Sequence, residues 1–397
     1  MQTLTKNKHL FFVIMALLIF QSCEKDEVSC IANDIISNFG LVEGETIGFP
    51  LDSLTSPSSA CIQLFSDKQS GRSYLALMNQ PDHSIYLYDY DSKSIYSKIS
   101  LRKVGPNSVG EVLNGFYIHS VDSIFIVSRY VLSIVSSRGI PYYQFSFLKE
   151  NSHKFTSLPQ MATNRPARLE KGVLYMSAFP DKDAFDKDSF DGEQCMIVLD
   201  LKKRRFHYVM EFPSAYEKAI YGPNFMMVSH CIDNKNKTVT YSFPTEKCIY
   251  RTNFNNDVER YYSGSNDLPE IVPMKKVKSN YEYYTKFYVQ SPSYGSIYYN
   301  SLLQLYYRFA EYPRTDEEFA LGKQWKNKSI IVLDSLFRKV GETKISELLS
   351  STMCFTNSCG LYIAKSTDSE DTIYFTNLIF KQNYSNHESK FDSSILQ

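Results

Sequence analysis

Three arginines are the side chains in this sequence best suited to binding an anion. Arg165 and Arg168 lie in segment 164–168, and Arg308 lies in the aromatic segment 306–309. A guanidinium group presents a planar fork of N–H donors that matches the oxygens of a carboxylate or a phosphate. The three arginines are therefore binding candidates, and surface ion pairs are the alternative interpretation of the same residues.

Acid–base or metal chemistry would need histidines and carboxylates that the fold brings to one centre. Asp82, Asp122 and Asp233 are candidate acids, and segment 181–188 carries a dense run of aspartate and lysine that is also typical of a solvated loop. The compact motifs of nucleophile elbows, zinc proteases, phosphate-binding loops, dinucleotide folds and EF-hands are missing from the sequence. We predict no metal and no cofactor, and catalytic residues are unassigned. The histidines that could reach a central channel are His83, His119, His207 and His230.

Cys23 is the cysteine with the clearest chemical assignment. A basic start precedes an apolar run at residues 10–20, and Ser22 stands directly before Cys23. The run is about half of the ~20 residues that a membrane-spanning helix needs, so a signal peptide that is removed fits better than a permanent span. We predict a signal peptide at residues 1–22 and lipid on the Cys23 thiol. An ordinary secretory signal that leaves Cys23 free is the alternative.

Charged residues follow Cys23 immediately. Lys25, Asp26 and Glu27 resemble the signal that carries Bacteroidota lipoproteins to the outer face of the outer membrane, and a solvated linker is the alternative. We predict a protein that is lipid-anchored in the outer membrane and exposed at the cell surface, with a lipidated tether at residues 23–40.

The charge balance limits the possible partners, and the cysteine spacing limits the possible zinc sites and disulfides. The chain has 43 basic and 43 acidic residues, so no net field attracts a polyanion, and we exclude nucleic acid as a partner. None of the eight cysteines forms a Cys-x-x-Cys pair, which argues against zinc. We predict buried free thiols. Bridges such as Cys231–Cys248 or Cys354–Cys359 are the alternative in an oxidising envelope.

Short β-rich runs separated by turn residues predict an all-β fold. Segments 85–89, 196–200 and 330–334 are apolar runs that each end in aspartate before a turn, as in a repeated hairpin whose aspartate binds the turn backbone. Repeats of about 40–50 residues indicate a single β-propeller with six blades, or seven. The propeller is predicted to span residues 41–381, followed by a frayed tail at residues 382–397.

Two features complete the predicted fold. Residues 46–51 are expected to pair with residues 372–379, which would hide two sheet edges and close the ring. Capping-box spacing predicts two short helices in loops, one beginning near Ser214 and one near Thr315.

Several short motifs together resemble one known family. They are the turn at residues 105–110, the Gly-Phe-Tyr at 115–117, the Tyr-Tyr-Arg-Phe at 306–309 and the cysteine-terminated leader. In these features and in its length the chain resembles the Bacteroidota lipoproteins of the domain of unknown function 4221 family. The resemblance implies a propeller-like envelope lipoprotein without an established activity, and it assigns no catalytic residue.

The function that fits these observations best is non-enzymatic. We predict a binding or interaction module that is held at the membrane by its lipid and that recognises an envelope protein, peptide or glycan. The tyrosine-rich segments 281–288 and 294–307 could offer rings for stacking on a sugar or a peptide. We expect both segments to be extended, so half or more of these rings should instead face the core, because strands bury alternate residues. The alternative is an envelope hydrolase or lyase that acts on glycans or peptides with residues spread over several blades.

Replacing Lys25, Asp26 and Glu27 with alanine is expected to abolish surface exposure, because the export signal would be lost while Cys23 is still lipidated. The measurement is protease accessibility on intact cells, with the protein in lysed cells as the control for cleavage. Accessibility equal to that of the native chain would contradict the surface-export prediction.

Overall fold

The computed structural model describes residues 30–32, 39–148, 157–217, 219–275 and 281–382. The predicted signal peptide, Cys23 and the predicted export residues Lys25, Asp26 and Glu27 lie outside the described residues, as do residues 383–397 of the predicted tail. No helix in the described ranges is long and apolar enough to cross a membrane.

The chain forms antiparallel sheets one after another along the sequence, after a first strand β1 at Phe39–Pro50. Sheet I contains β2 (Ile62–Ser66), β3 (Ser73–Asn79), β4 (Ser84–Asp89) and β5 (Ile95–Ser100). Sheet II contains β6 (Gly115–Ser120), β7 (Ser123–Ser128), β8 (Val131–Val135) and β9 (Pro141–Ser146). Sheet III contains β10 (Ser157–Gln160), β11 (Arg168–Glu170), β12 (Val173–Pro180), β13 (Gln194–Asp200) and β14 (Arg205–Glu211).

The remaining strands form one four-stranded and one eight-stranded sheet. Sheet IV contains β15 (Ser229–Asp233), β16 (Thr238–Ser242), β17 (Cys248–Thr252) and β18 (Val258–Tyr262). Sheet V begins with β19 (Ser293–Asn300), β20 (Leu305–Tyr312), β21 (Asn327–Leu333) and β22 (Lys339–Ile345). Its second half contains β23 (Leu349–Asn357), β24 (Gly360–Lys365) and β25 (Thr372–Gln382), and β1 joins the two halves.

Strand β1 brings the two ends of the described body together. It pairs antiparallel with β25 from Phe39 opposite Gln382 to Pro50 opposite Thr372. Its contact with β22 is the single parallel pair of Phe39 with Gly341. The predicted pairing of residues 46–51 with residues 372–379 is confirmed.

The core is divided among the interfaces between neighbouring sheets. Six clusters of buried apolar side chains are present among the described residues, and each lies between consecutive sheets or between the halves of sheet V. One of them packs Phe49 and Phe375 of sheet V against Tyr88 of sheet I. Because the last half of sheet V packs against the first sheet, the sheets form a ring, and the predicted all-β, propeller-like architecture is confirmed.

The three aspartate-terminated repeats occupy equivalent places in three sheets. Segments 85–89, 196–200 and 330–334 correspond to β4, β13 and β21, the strands that precede the last hairpin turn of sheet I, sheet III and the first half of sheet V. Each aspartate accepts hydrogen bonds from two backbone N–H groups of the following turn. The predicted aspartate–turn motif is therefore confirmed.

Helices are few and short among the described residues, and their positions differ in part from the prediction. Helix α1 spans Tyr281–Gln290, in a tyrosine-rich segment that was expected to be extended. Helix α2 spans Asp316–Ala320, and its Thr315–Glu318 capping box is present as predicted. The segment at Ser214 forms only a 3₁₀ turn at Ser214–Tyr216 without a side-chain cap, and a second 3₁₀ turn lies at Pro223–Met226.

The cysteines are partly paired. Cys30, inside the predicted tether, forms a disulfide with Cys248, with 6.3 Å between the Cα atoms. The neighbouring Ile31 pairs with Tyr261 at the edge of sheet IV. Neither of the two bridges considered from the sequence forms. The predicted buried free thiols are confirmed at Cys61, Cys195, Cys231 and Cys354. The prediction is wrong for Cys30 and Cys248, which are bonded to each other, and for Cys359, which is free but exposed.

Arg308 links sheet V to sheet IV inside the core. Its side chain is fully buried on β20 and donates hydrogen bonds to Ser242 Oγ, the carbonyl oxygens of Glu246 and Lys247, and Ser263. Its guanidinium also lies 3.9 Å from the centre of the Tyr294 ring. Burial lowers the pKa of Arg308 to about 10, so the group stays charged at neutral pH. The donors of Arg308 are thus directed at protein acceptors.

Replacing Arg308 with methionine is expected to lower the free energy of unfolding by about 3 kcal/mol, because several buried acceptors lose their donor. Urea unfolding followed by circular dichroism measures the change. The matched control is Arg102→Met, since Arg102 is exposed, and the expected change there is below about 0.5 kcal/mol. Equal losses for the two variants would contradict a linking role for Arg308.

Candidate functional site

A cavity of about 540 Å³ lies where the first strands of the sheets converge on the axis of the ring. Its volume is in the usual range for small-molecule sites. Every sheet contributes to its wall, including both halves of sheet V. The lining side chains that carry a polar group or a thiol include Cys61, Gln63, Tyr117, Thr163, His230, Cys231, Asn234, Lys235, Tyr298, Ser301, Cys354 and Thr356.

One side of the cavity is formed by residues 161–167, here called the axial loop, which connect β10 to β11 in place of a regular innermost strand. Ala162 and Arg165 close the loop by two backbone hydrogen bonds of 3.1 and 2.9 Å. Thr163 Oγ1 accepts a hydrogen bond from the backbone N–H of Ile62 at 2.8 Å, which ties the loop to sheet I. Asn164 donates to Ser296 Oγ at 2.9 Å, which ties it to sheet V.

Two further contacts fix the axial loop. The Asn164 carbonyl accepts from Ser229 Oγ at 2.8 Å and from the His230 backbone at 3.0 Å, so the loop is also bound to sheet IV. On the side of sheet II, Gly115 has φ 122°, and a Cβ there would lie 1.5 Å from the Met161 carbonyl oxygen. Glycine is therefore required at this point of close approach. The loop is held rigidly by its neighbours on the axis.

His230 is the histidine that reaches the cavity wall. The ring is 1 % exposed and Nε2 lies 2.8 Å from the Pro166 carbonyl oxygen, so Nε2 carries the proton and donates. Nδ1 is then an acceptor, and it has no partner among the described residues. Burial lowers the pKa of His230 to about 4, the Pro166 bond opposes this shift, and the charge of Arg165 adds to it. The imidazole is neutral at physiological pH.

Arg165 lies next to the cavity, at the turn of the axial loop. Nη1 contacts Met227 Sδ at 3.1 Å, and Nε has no partner among the described residues. Burial lowers the pKa of Arg165 to about 10, so the side chain is a cation at neutral pH. Of the three arginine candidates, Arg165 is the one that the fold places near the axis.

The other two arginines lie elsewhere. Arg168 pairs with Glu170 at 2.6 Å and stacks on the Phe254 ring, 5.1 Å from its centre. Arg308 is enclosed between sheets IV and V, as described above. Of the three predicted arginine candidates, Arg165 therefore lies near the axis, and Arg168 and Arg308 lie away from it.

The candidate acids and His83 have structural partners, whereas His119 and His207 are exposed on β6 and β14, away from the cavity lining. Asp82 binds Lys98 at 2.6 Å, and the His83 ring contacts the Leu101 carbonyl at 3.0 Å. Asp122 caps the turn at Ser137, and Asp233 caps the turn after β15. No group of three histidine, cysteine or acidic side chains in the described ranges is placed to hold a metal.

Lys235 is the charged side chain among the residues that line the cavity. Other polar side chains of the lining include Gln63, Thr163, Asn234 and Ser301, which carry hydroxyl or amide groups. The thiols are protonated, because burial raises the pKa of Cys61 to about 12 and the pKa of Cys231 well above its usual range. Such a wall can donate and accept hydrogen bonds, but it presents neither a thiolate nor a carboxylate.

The sequence did not predict that these residues come together around one cavity. Its residues come from segments that are distant in the chain, and most are ordinary strand residues. The signal that could have been used is the Asn-Arg-Pro turn at 164–166, whose polar residues interrupt an otherwise apolar inner strand.

Fold and cavity together define an all-β, propeller-like protein with a binding-sized cavity on its axis. The chain belongs to the family described as Domain of unknown function (DUF4221), whose model matches residues 38–344. The predicted family membership is confirmed. No protein of curated function matches the chain in a sequence comparison.

Two solved structures are similar to the chain. A member of the same family from Bacteroides vulgatus is 21 % identical with a TM-score of 0.75, covering 87 % of this chain and 99 % of that one. An exported protein from Bacteroides fragilis is 12 % identical with a TM-score of 0.53, covering 90 % of this chain and 100 % of that one. At these identities the likeness supports the fold.

The depressed pKa of His230 predicts a stability that falls with acidification. The unfolded imidazole titrates near its ordinary value of about 6.5 and the folded one near 4, so the unfolded state binds the proton first as the pH falls. The free energy of unfolding should be complete above pH ~6.5 and drop by about 3 kcal/mol on going to pH ~4.

Urea unfolding of the native chain and of His230→Gln, each at several pH values, measures this loss. Glutamine retains a donor for the Pro166 carbonyl but does not titrate, so between pH ~6.5 and pH ~4 the variant should lose about 3 kcal/mol less than the native chain. Parallel curves for the two chains would contradict a buried neutral His230.

Proposed function

We propose that this protein is a lipid-anchored binding module of the cell envelope that holds a small polar ligand in its axial cavity. The observation that carries the proposal is a cavity wall of hydroxyl, amide and aromatic groups. The lining also includes His230, whose Nδ1 is a buried acceptor without a partner among the described residues. A buried acceptor is costly to leave unpaired. A ligand hydroxyl or N–H group that reached this atom would satisfy it.

The preferred ligand carries hydrogen-bond donors and at most a small negative charge. Lys235 has no ion pair among the described residues. Its ammonium group is available to a carboxylate or a phosphate. The tyrosine side chains of the wall add polar tips and flat apolar faces.

The blade number that fits this architecture is six. Sheets I to IV supply four blades, and the two halves of sheet V supply two more, because β1 connects them through one residue pair. Six apolar clusters then correspond to six interfaces between blades. In this arrangement β1 and β23–β25 form one blade from both ends of the described body.

The hydrolase or lyase alternative is less well supported by the cavity. Glycoside hydrolysis uses two carboxyl groups that flank the bond to be cleaved. The residues that line the cavity include neither aspartate nor glutamate. A binding function needs only the polar and aromatic groups that are present, and for that reason we favour it.

The anchoring part of the proposal is supported by the Cys30–Cys248 disulfide, because it joins the chain to sheet IV only seven residues after Cys23. Seven residues span at most about 25 Å when fully extended. If Cys23 is lipidated, the end of β17 that carries Cys248 is held close to the bilayer. An oxidising envelope is also where such a bridge persists.

Closing the mouth of the cavity is expected to abolish ligand-induced stabilisation. The variant Asn234→Trp/Ser301→Trp places two large side chains at exposed positions of the lining. The probes are amino acids, monosaccharides and short dicarboxylic acids, each tested by thermal unfolding. A bound probe stabilises the folded state by about 2.7 kcal/mol at a hundred times its dissociation constant, and the double variant should lose this gain.

The matched control is Leu302→Trp, because Leu302 is exposed, adjacent to Ser301 and not part of the lining. It should retain the full stabilisation by the same probe. Equal stabilisation of the double variant, or no stabilisation of the native chain by any of the three probe classes, would contradict the proposal.

A further inference from the structure

A second cleft of about 480 Å³ lies apart from the axial cavity and has a different composition. No residue lines both. The side chains that line it are uncharged, and half of them are aromatic. The lining consists of Phe185, Pro223, Asn224, Tyr281, Tyr284, Thr285, Tyr288, Val289, Gln324 and Trp325.

The two openings lie on opposite faces of the ring. The cleft is built from the β12–β13, β14–β15, β18–β19 and β20–β21 connections. Asn234, Lys235 and Ser301 of the axial cavity lie in the β15–β16 and β19–β20 connections. Successive connections of an antiparallel sheet leave from opposite ends. The cleft and the mouth of the cavity are therefore separate sites.

Two large rings of the cleft are exposed to solvent. Tyr281 is 83 % exposed and Trp325 is 78 % exposed. Exposed large aromatic side chains with polar neighbours are a mark of binding surfaces. Trp325 is also the single tryptophan of the chain.

The floor between these rings is rigid. The Tyr284 hydroxyl accepts a hydrogen bond from the Asn224 backbone at 2.7 Å, and the Phe185 ring meets Tyr284 edge-on at 5.6 Å. Gly222 allows this approach, because a Cβ there would lie 2.2 Å from the Tyr284 ring. The rings are thus presented on a preorganised surface, which lowers the entropic cost of binding.

The backbone beneath Trp325 is fixed as well. Arg314 Nε donates to the Trp325 carbonyl at 2.7 Å, and the same guanidinium is held by Glu318 and Glu347. Arg314 itself is 5 % exposed, so this support is inside the protein. The exposed indole therefore stands on an anchored segment.

We propose that this aromatic cleft binds a neutral oligosaccharide. A pyranose ring offers a face of C–H groups that carry partial positive charge, and this face complements the negative faces of the Trp325 and Tyr281 rings. The amides of Asn224 and Gln324 each donate and accept, as do the hydroxyl groups at the rim of a sugar. A lining without charge suits a neutral glycan better than an ionised one. The glycan is a ligand additional to the one proposed for the axial cavity.

The test uses the fluorescence of Trp325, since no other tryptophan contributes to the emission. The full-length lipidated protein, in a detergent without a sugar headgroup, is titrated with neutral hexasaccharides of glucose, xylose, mannose and galactose. At least one of them should shift the emission in a saturable manner. Tyr281→Ala should weaken that binding about tenfold and Tyr281→Phe by about twofold at most, because the second variant retains the ring.

Leu321→Ala is the matched control, because Leu321 is 80 % exposed near the cleft but does not line it. It should leave the affinity unchanged. The proposal is overturned if none of the four sugars gives a saturable shift, or if Tyr281→Ala binds as tightly as the native chain. It is also overturned if a decaproline peptide gives the shift and the sugars do not. None of these outcomes bears on the axial cavity.

Discussion

The pairing of β1 with β25 is the constraint on which the rest of this structure depends. Each sheet is apolar on both faces, so each must be covered on both sides, and a linear row of sheets would leave two faces bare. Residues from opposite ends of the described body complete sheet V, whose second half then packs on sheet I through Phe49 and Tyr88. Bringing such distant segments together costs chain entropy. The apolar interfaces of the closed ring offset that cost.

Closure also creates the axis, where polar backbone from every sheet converges. The axial loop pairs some of these polar groups through hydrogen bonds. Thr163 bonds to sheet I, and Asn164 bonds to sheets IV and V. Most buried polar groups in a folded protein are paired. The unpaired His230 Nδ1 and Arg165 Nε are exceptions in the same small region. His230 lines the cavity, and Arg165 lies beside it at the turn of the axial loop.

The net charge is zero, but the charged side chains occupy different environments. Arg308 and Arg314 are buried and hold the backbone of neighbouring segments, and Arg165 stands near the axis. One opening of the ring carries Lys235, and the aromatic cleft on the opposite face is uncharged. The two proposed binding sites therefore differ in charge and lie on separate faces of the ring.

The sequence by itself determined the all-β class, the aspartate–turn repeats, the Thr315 capping box and the closing strand, because each depends on local patterning or on the need to hide a sheet edge. The prediction for segment 281–288 was wrong: tyrosines favour strands, but the segment lies in a helix at Tyr281–Gln290. The partner of Cys248 and the different surroundings of Arg165, Arg168 and Arg308 were decided by tertiary structure alone. Contacts between residues that are distant in the chain depend on how the sheets close, and spacing along one sequence does not encode that closure.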